Sequence, residues 1–322
     1  MTSVYPIAIY ANGLFQDGYP NPPVAYTTQA AQLNAGITTP ILWSIHIHAN
    51  GDLYLNDSPF VSNGQILYST DPTQGVNPDF PALMAALTGG GGSVAEVLVS
   101  VGAWGTTSDF SNWLGAQPAV QANLSALVSA FGVAGVDFDY ESEDGYTAAD
   151  QSMIVTLTLQ VFAAGCYVTY CPYTAMDFWA GCLSAAYAGA GNVQPVKWMN
   201  LQCYAGGGGN DQILNQWIAS VKGANAGVAD PAAFIVPGFA VAGSESDGQT
   251  PSQLQQTFAG LSASGVTGGF LWNSGAIFSG EPGVGYTPAD YAEAISQGLG
   301  GGTGAFAGAG RAASRDKPEA RV

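Results

Sequence analysis

The feature that most restricts the fold is an alternation running through nearly the whole chain. Short runs rich in β-branched and aromatic residues recur at 5–11, 41–49, 95–102, 133–141, 166–173, 197–204, 233–239 and 267–273. Segments with apolar residues at helical spacing fall at about 27–35, 78–88, 118–131, 147–164, 177–188, 211–223, 250–263 and 287–298. Three of these carry helix-start signals: Thr147 before its helix, and Thr250-Pro251 and Thr287-Pro288 before theirs. Strands that alternate with helices pair in parallel, because each crossover brings the chain back to the same end of the sheet. Eight such units suit a closed sheet better than an open one. The predicted fold is therefore α/β, a single (β/α)8 TIM barrel over residues 1–298. Residues 299–322 are Gly/Ala-rich and then charged, and are predicted to be a disordered tail.

Charge narrows the partners. Only 9% of the 322 residues are charged, against about 25% in ordinary soluble domains. Lys197 and Lys222 are the only Lys or Arg before Arg311, so residues 1–310 carry 21 acidic and 2 basic side chains, a net of −19. Such a surface repels phosphate backbones and anionic membranes, which argues against nucleic acid and membrane partners and in favour of a neutral polymer. No uninterrupted apolar stretch of ~18 residues occurs, so no transmembrane helix is expected. The N-terminus shows no basic segment followed by an apolar one; the reading is that a leader has been removed or that export uses another route. Cys166, Cys171, Cys182 and Cys203 show no CxxC spacing. Cys166 and Cys171 fall on opposite faces of one predicted strand, so free buried thiols are expected.

Residues 133–141 carry the chemistry. Strand side chains alternate faces, so Asp137, Asp139 and Glu141 point together into the predicted barrel while Phe138 and Tyr140 point out toward the helices. Three neighbouring carboxylates cannot all ionise comfortably; repulsion and burial raise at least one pKa, which keeps a carboxylic acid protonated near neutral pH. Barrel sites form at the C-terminal strand ends, which puts Glu141 outermost and Asp137 deepest. Metal ligation or helix capping is the alternative use of such acids.

The run Ala134-Gly135-Val136-Asp137-Phe138-Asp139-Tyr140-Glu141 resembles the DGxDxDxE signature of glycoside hydrolase family 18, with Ala134 in place of the first Asp. Ser100-Val101-Gly102-Ala103 resembles that family's SxGG segment, with Ala103 for the last Gly. Gln202-Cys203-Tyr204 is similar to the Q-x-Y of the compact, hevamine-like chitinases. Gly268-Gly269-Phe270-Leu271-Trp272 resembles the eighth-strand segment whose Trp floors the cleaved sugar's subsite. About 28 residues link strands seven and eight, too few for the α+β insertion of the larger chitinases.

The resemblance implies a chitinase that hydrolyses β-1,4-linked N-acetylglucosamine with retention, assisted by the substrate's own acetamido group rather than by a protein nucleophile. It implies Glu141 as proton donor, Asp139 as partner of the acetamido N–H, and Asp137 sharing a proton with Asp139. It further implies Tyr204 on the acetamido oxygen with Gln202 beside it, and Trp272 stacked on the sugar. Tyr10, Trp104 and Tyr173 are further candidates for substrate binding, and Tyr170, Phe178 and Trp179 are aromatics that line a cleft or belong to the core. The partner so implied is an N-acetylglucosamine-containing saccharide bound by a monomer, and the substrate class favours an extracellular location. An endo-β-N-acetylglucosaminidase acting on N-glycans and a non-catalytic chitinase-like binding protein are the competing readings. His46 and His48 lie in phase on strand two without a third ligand at recognisable spacing, so neither a metal nor a cofactor is expected. The Gly-rich runs 89–92 and 206–209 lack phosphate-loop spacing and read as flexible loops.

Overall fold

A computed structural model describes residues 6–16, 24–279 and 285–301. In chain order its strands are β1 (Ile7–Asn12), β2 (Thr39–Ile47), β3 (Leu53–Leu55), β4 (Ser58–Ser62), β5 (Gln65–Ile66), β6 (Leu98–Val101), β7 (Gly135–Phe138), β8 (Tyr167–Tyr170), β9 (Val196–Gln202), β10 (Ile235–Ala240) and β11 (Gly269–Trp272). The helices are α1 (Tyr26–Leu33), α2 (Phe80–Thr88), α3 (Ser108–Gly115), α4 (Gln117–Phe131), α5 (Ala148–Ala163), α6 (Met176–Gly189), α7 (Leu214–Gly223), α8 (Pro231–Phe234), α9 (Pro251–Leu261), α10 (Ser274–Phe278) and α11 (Pro288–Gly298).

Eight strands pair in parallel in the order β1-β2-β6-β7-β8-β9-β10-β11, and β11 returns to β1, which closes the barrel. Each of the eight predicted strands overlaps one of these. The lumen is filled by Ala8, Tyr10, Ile41, Leu98, Cys171, Trp198, Tyr204, Val236, Ala240 and Phe270. The opposite strand faces pack under the helices in a second, larger core, as a period of two requires. The three predicted helix starts are capping boxes: Thr147, Thr250 and Thr287 each accept a backbone N–H three residues on, and Asp150, Gln253 and Asp290 return the bond. Between β10 and β11 the chain forms α9 and one 3₁₀ turn. All four cysteines are free thiols. The Gly/Ala-rich tail expected over 299–322 lies outside the described residues from 302 onward.

The alternation of strand and helix does not anticipate β3, β4 and β5. They form an antiparallel meander hung on the far end of β2, with Ile45 opposite Leu55 and Ile47 opposite Leu53. Its hairpin turns are two residues long and use the left-handed backbone that Asn and Gly tolerate: Asn56 at φ 50°, and Asn63-Gly64 at 50° and 73°. The short helices α3, α8 and α10 are likewise additions; α8 and α10, of 4 and 5 residues, are too brief for a 3.6-residue period to show.

Candidate active site

Backbone register explains how the carboxylates are gathered. Asp137 on β7 lies opposite Ser100 on β6 and Thr169 on β8, so three inward side chains share one layer of the barrel. Ser100 Oγ donates to Asp137 Oδ2 at 2.8 Å, and Thr169 Oγ1 donates to Oδ1. Tyr10 from β1 donates to Oδ2 at 2.8 Å, and Asn200 from β9 to Oδ1 at 2.9 Å. Four donors therefore fill both oxygens of a carboxyl group that is 0% exposed. Burial raises its pKa, and the four hydrogen bonds oppose that rise.

Asp139 stands one layer higher and turns the other way. Its Oδ2 accepts from the Trp43 indole N–H at 3.1 Å and its Oδ1 from the Gln202 amide at 3.2 Å. The same Gln202 nitrogen donates to Glu141 Oε1 at 2.9 Å. Burial pushes Asp139 well above the usual carboxylate range, and the negative charges of Glu141 and Asp137 push it further. Burial also raises Glu141, while Gln202 and Asp139 hydrogen-bond to its charged form and pull it down. The two titrate as a pair, with the shared proton drawn to Asp139 and Glu141 as its acceptor. No cation pairs with any of the three acids among the described residues.

Glu141 opens into a cleft of about 380 Å³ lined by Trp43, Ala103, Trp104, Tyr173, Gln202, Tyr204, Ala205, Gly206, Glu245 and Trp272. Tyr204 and Trp272 lie face to face, with ring centroids 5.9 Å apart and planes 12° off parallel, and Trp43 meets Trp272 edge-on at 4.9 Å. Burial raises the Tyr204 hydroxyl well above its ordinary value, so it remains a neutral O–H. Trp104 is 61% exposed at the rim, against the edge of Tyr173.

Most of the sequence-derived candidates meet here: Asp137, Asp139, Glu141, Gln202 and Tyr204 in one column, with Trp272, Trp104 and Tyr173 around the opening. Tyr10 does not reach the cleft; it is fully buried, and its hydroxyl is committed to Asp137. Nor does a hydrogen bond join Asp137 to Asp139, because the partners of Asp137 come from β1, β6, β8 and β9 while Asp139 faces Trp43, Gln202 and Glu141. Tyr170 and Trp179 are wholly buried core residues, and Phe178 packs with Tyr146. His46 is held between Ser44 and Asp109, and His48 stacks on Tyr54. The 206–209 run does not act as a plain loop. Ala205–Gly207 is a 3₁₀ turn in the cleft wall, and a Cβ on Gly207 would lie 2.2 Å from the Gln202 carbonyl oxygen.

Three contributors escape the sequence reading. Asn200 was available from alternation, being in phase with Gln202 and Tyr204. Trp43 was likewise available, being in phase with lumen-facing Ile41; Glu245 was not, since it reaches the cleft from the loop after β10 to accept the Trp272 indole N–H at 3.1 Å.

Comparison with solved structures agrees with the barrel fold. A family 18 chitinase from Pseudoalteromonas aurantia superposes with a TM-score of 0.60 at 16% identity, over 91% of this chain and 100% of that one. A fungal endo-β-N-acetylglucosaminidase of the same family gives 0.59 at 19%, over 92% and 99%. A mutant of catalytic domain 2 of the Group II chitinase from Ostrinia furnacalis, solved in complex with penta-N-acetylchitooctaose, gives 0.60 at 12%, over 92% and 96%. The chain has the fold of the family 18 glycoside hydrolases. No protein-family model and no curated protein matches its sequence. Within this family 18 fold, Ala134 lies just before β7 at the N-terminal barrel end, packed beside the lumen cluster and far along the strand from Glu141. Ala103 lines the cleft, and Gly102, at φ 91°, leaves no room for a Cβ, which would lie 2.5 Å from the Asp139 carbonyl oxygen.

Proposed function

We propose that the protein is a glycoside hydrolase that cleaves β-1,4-linked N-acetylglucosamine, as in chitin and chitooligosaccharides, with retention of configuration and assistance from the substrate's acetamido group. The observation that carries this reading is a carboxyl pair, Asp139 and Glu141, bridged by the Gln202 amide above a buried acid column and beneath an aromatic cleft, with both pKa values raised by burial.

In the proposed reaction the sugar at the scissile bond lies on Trp272. Its acetamido group reaches down to Asp139 and Tyr204, and the glycosidic oxygen lies at Glu141. Binding draws the Asp139 carboxylate to the acetamido N–H, which leaves the shared proton on Glu141. Glu141 gives that proton to the leaving oxygen as the acetamido carbonyl oxygen attacks the anomeric carbon. The C–O bond to the leaving sugar breaks and an oxazolinium forms, its positive charge facing Asp139. Water then enters, Glu141 takes back a proton, and the ring opens to the product. The Tyr204 O–H holds the acetamido oxygen during attack, and Gln202 keeps Asp139 and Glu141 in one frame. Asp137, saturated by four donors, fixes the floor of the column.

The same chemistry serves an endo-β-N-acetylglucosaminidase on the core of N-glycans, and the fold likeness to the fungal enzyme named above favours keeping that substrate as the second reading. Product profiles on N-acetylglucosamine oligomers and on a high-mannose glycoprotein separate the two. General acid assistance contributes roughly 10²–10⁴ in rate, so Glu141→Gln is expected to lose that much of kcat while still binding the oligomer. Wild-type turnover by this variant would sink the assignment, and an inactive wild type that binds the oligomer would leave a binding protein.

A further inference from the structure

We propose that Trp43 is a positioning residue for Asp139, set in place by a clamp made of Asn56 and the Asp109–His46–Ser44 chain. The inference rests on the hydrolase reading for its effect on rate, but not for the geometry.

β2 pairs with β1 as far as Trp43, which is opposite Asn12. Against β6 its register slips between Leu42 and Ile45, so Trp43 and Ser44 form a bulge where the strand leaves the barrel for the β3 meander. Trp43 keeps the inward phase of Ile41 and lines the cleft, and the extra residue of the bulge reverses the phase beyond it, so that Ile45 and Ile47 face the helices as Leu42 does. Two sets of hydrogen bonds pin the bulge. Asn56, at the tip of the β3–β4 turn, accepts the Ser44 N–H on Oδ1 at 3.2 Å and gives its own backbone N–H to the Ser44 carbonyl at 2.8 Å. Its side-chain amide reaches the Trp43 carbonyl at 3.3 Å and Gln16 Oε1 at 2.6 Å.

From the other side, Ser44 Oγ and His46 Nε2 are 3.0 Å apart, and His46 Nδ1 lies 2.9 Å from Asp109 Oδ2. Asp109, in the first turn of α3, also accepts the Ile47 N–H at 2.8 Å. The order Ser–His–Asp suggests a nucleophile, but Ser44 is 0% exposed and is not part of the cleft wall. With no path for a substrate to Ser44 Oγ, the chain ties α3 to the bulge instead.

What the clamp holds is the one donor committed to Asp139. Gln202 divides its amide among Asp139, Glu141 and the Cys171 carbonyl. Asp137 has both oxygens filled. The Trp43 N–H is the only donor on Asp139 Oδ2 among the described residues and comes from a residue of the cleft wall, so substrate meets an acetamide partner already aimed.

The charged and titratable groups facing Asp139 are Asp137 and Glu141 along its own strand, Tyr10 from β1, Cys171 from the end of β8 and Tyr204 beyond β9. Burial keeps the two tyrosines and the thiol neutral, so the Trp43 donor works against the burial of Asp139 itself and the negative charges of the two acids. Removing it leaves the Asp139 anion less stable, and Asp139 then holds its proton to higher pH.

The test compares Trp43→Phe, which keeps a ring and loses the N–H, with Asp109→Asn, which cuts the far end of the clamp. On an N-acetylglucosamine oligomer, Trp43→Phe is expected to lower kcat about tenfold, as one lost hydrogen bond at the reacting group does. KM should change less than threefold, and the acid limb of kcat/KM should move to higher pH. Asp109→Asn should move both in the same direction by less. A Trp43→Phe enzyme with wild-type kcat and an unmoved limb overturns the proposal. A second readout does not need turnover. The Trp43 indole N–H resonance of the wild-type protein should follow the titration of the Asp139–Glu141 pair, and that titration-dependent shift should change in Glu141→Gln. If the wild type proves inactive on the oligomer, the hydrolase reading fails and this resonance still decides; an indole signal flat across the titration ends the proposal.

Discussion

Single side chains around the acid column have separable duties. Tyr10 is one of four donors on a fully buried carboxyl group and does not reach the cleft. Tyr10→Phe is therefore expected to cost about 1–3 kcal/mol in urea unfolding, the usual loss when a buried acceptor loses a donor, while KM for an oligosaccharide stays at the wild-type value. A rise in KM would return Tyr10 to the substrate. Tyr204 is the converse case, since the proposed reaction uses its hydroxyl and its ring lines the cleft. Tyr204→Phe keeps the stacking on Trp272 and should lower kcat with little change in the unfolding midpoint.

At the scale of elements, the site depends on backbone that only particular residues allow. Gly102 follows β6 at φ 91°, with the Asp139 carbonyl and the Phe110 ring where a Cβ would go. Gly102→Ala must therefore strain β6 or push the Asp139 backbone outward. The expected loss is at least ~1–3 kcal/mol of stability together with most of the activity, read by urea unfolding and oligomer hydrolysis. The Thr250 cap on α9 is a control at the same scale, because that helix lies outside the cleft. Thr250→Ala should cost about 1 kcal/mol and leave kcat/KM unchanged. Much of this level was legible in advance. Short β-branched and aromatic runs placed the eight barrel strands, and Thr or Thr-Pro start signals placed three helix starts. The meander β3–β5 was missed although Asn63-Gly64 is a strong hairpin signal, because its strands are only two to five residues long and interrupt an otherwise regular alternation.

Over the whole molecule, two electrostatic consequences follow. Asp137, Asp139 and Glu141 all hold protons more tightly in the fold than in the unfolded chain. Above the ordinary carboxylate range the native state therefore binds more protons, and stability falls as pH rises from there through the folded-state values. Asp139→Asn is neutral at every pH and should flatten that decline, raising the urea midpoint more at pH 7 than at pH 4; the reverse order would contradict a raised Asp139. The second consequence comes from a net charge of −17 with one Lys–Glu bridge, Lys197 to Glu96 at 2.8 Å, among the described residues. Screening mostly relieves repulsion here, so moderate sodium chloride should raise the melting temperature rather than lower it.

The sequence by itself determined the barrel and the strand that carries the acids, because both are written in local periodicity. Asp137, Asp139 and Glu141 share a face whatever surrounds them, and Glu141 is outermost on any barrel of this handedness. Tertiary structure decided the division of labour among them. Register across three strands brought Ser100 and Thr169 to Asp137, and the closing strand β1 brought Tyr10 there instead of to the cleft. Closure of the barrel brought the Trp43 indole of β2 to Asp139, next to a bulge clamped from Asn56 and α3, and a loop nearly thirty residues before Trp272 supplied Glu245 to its indole. These contacts join residues up to 127 positions apart, and no local pattern records which of two inward acids a distant donor will reach.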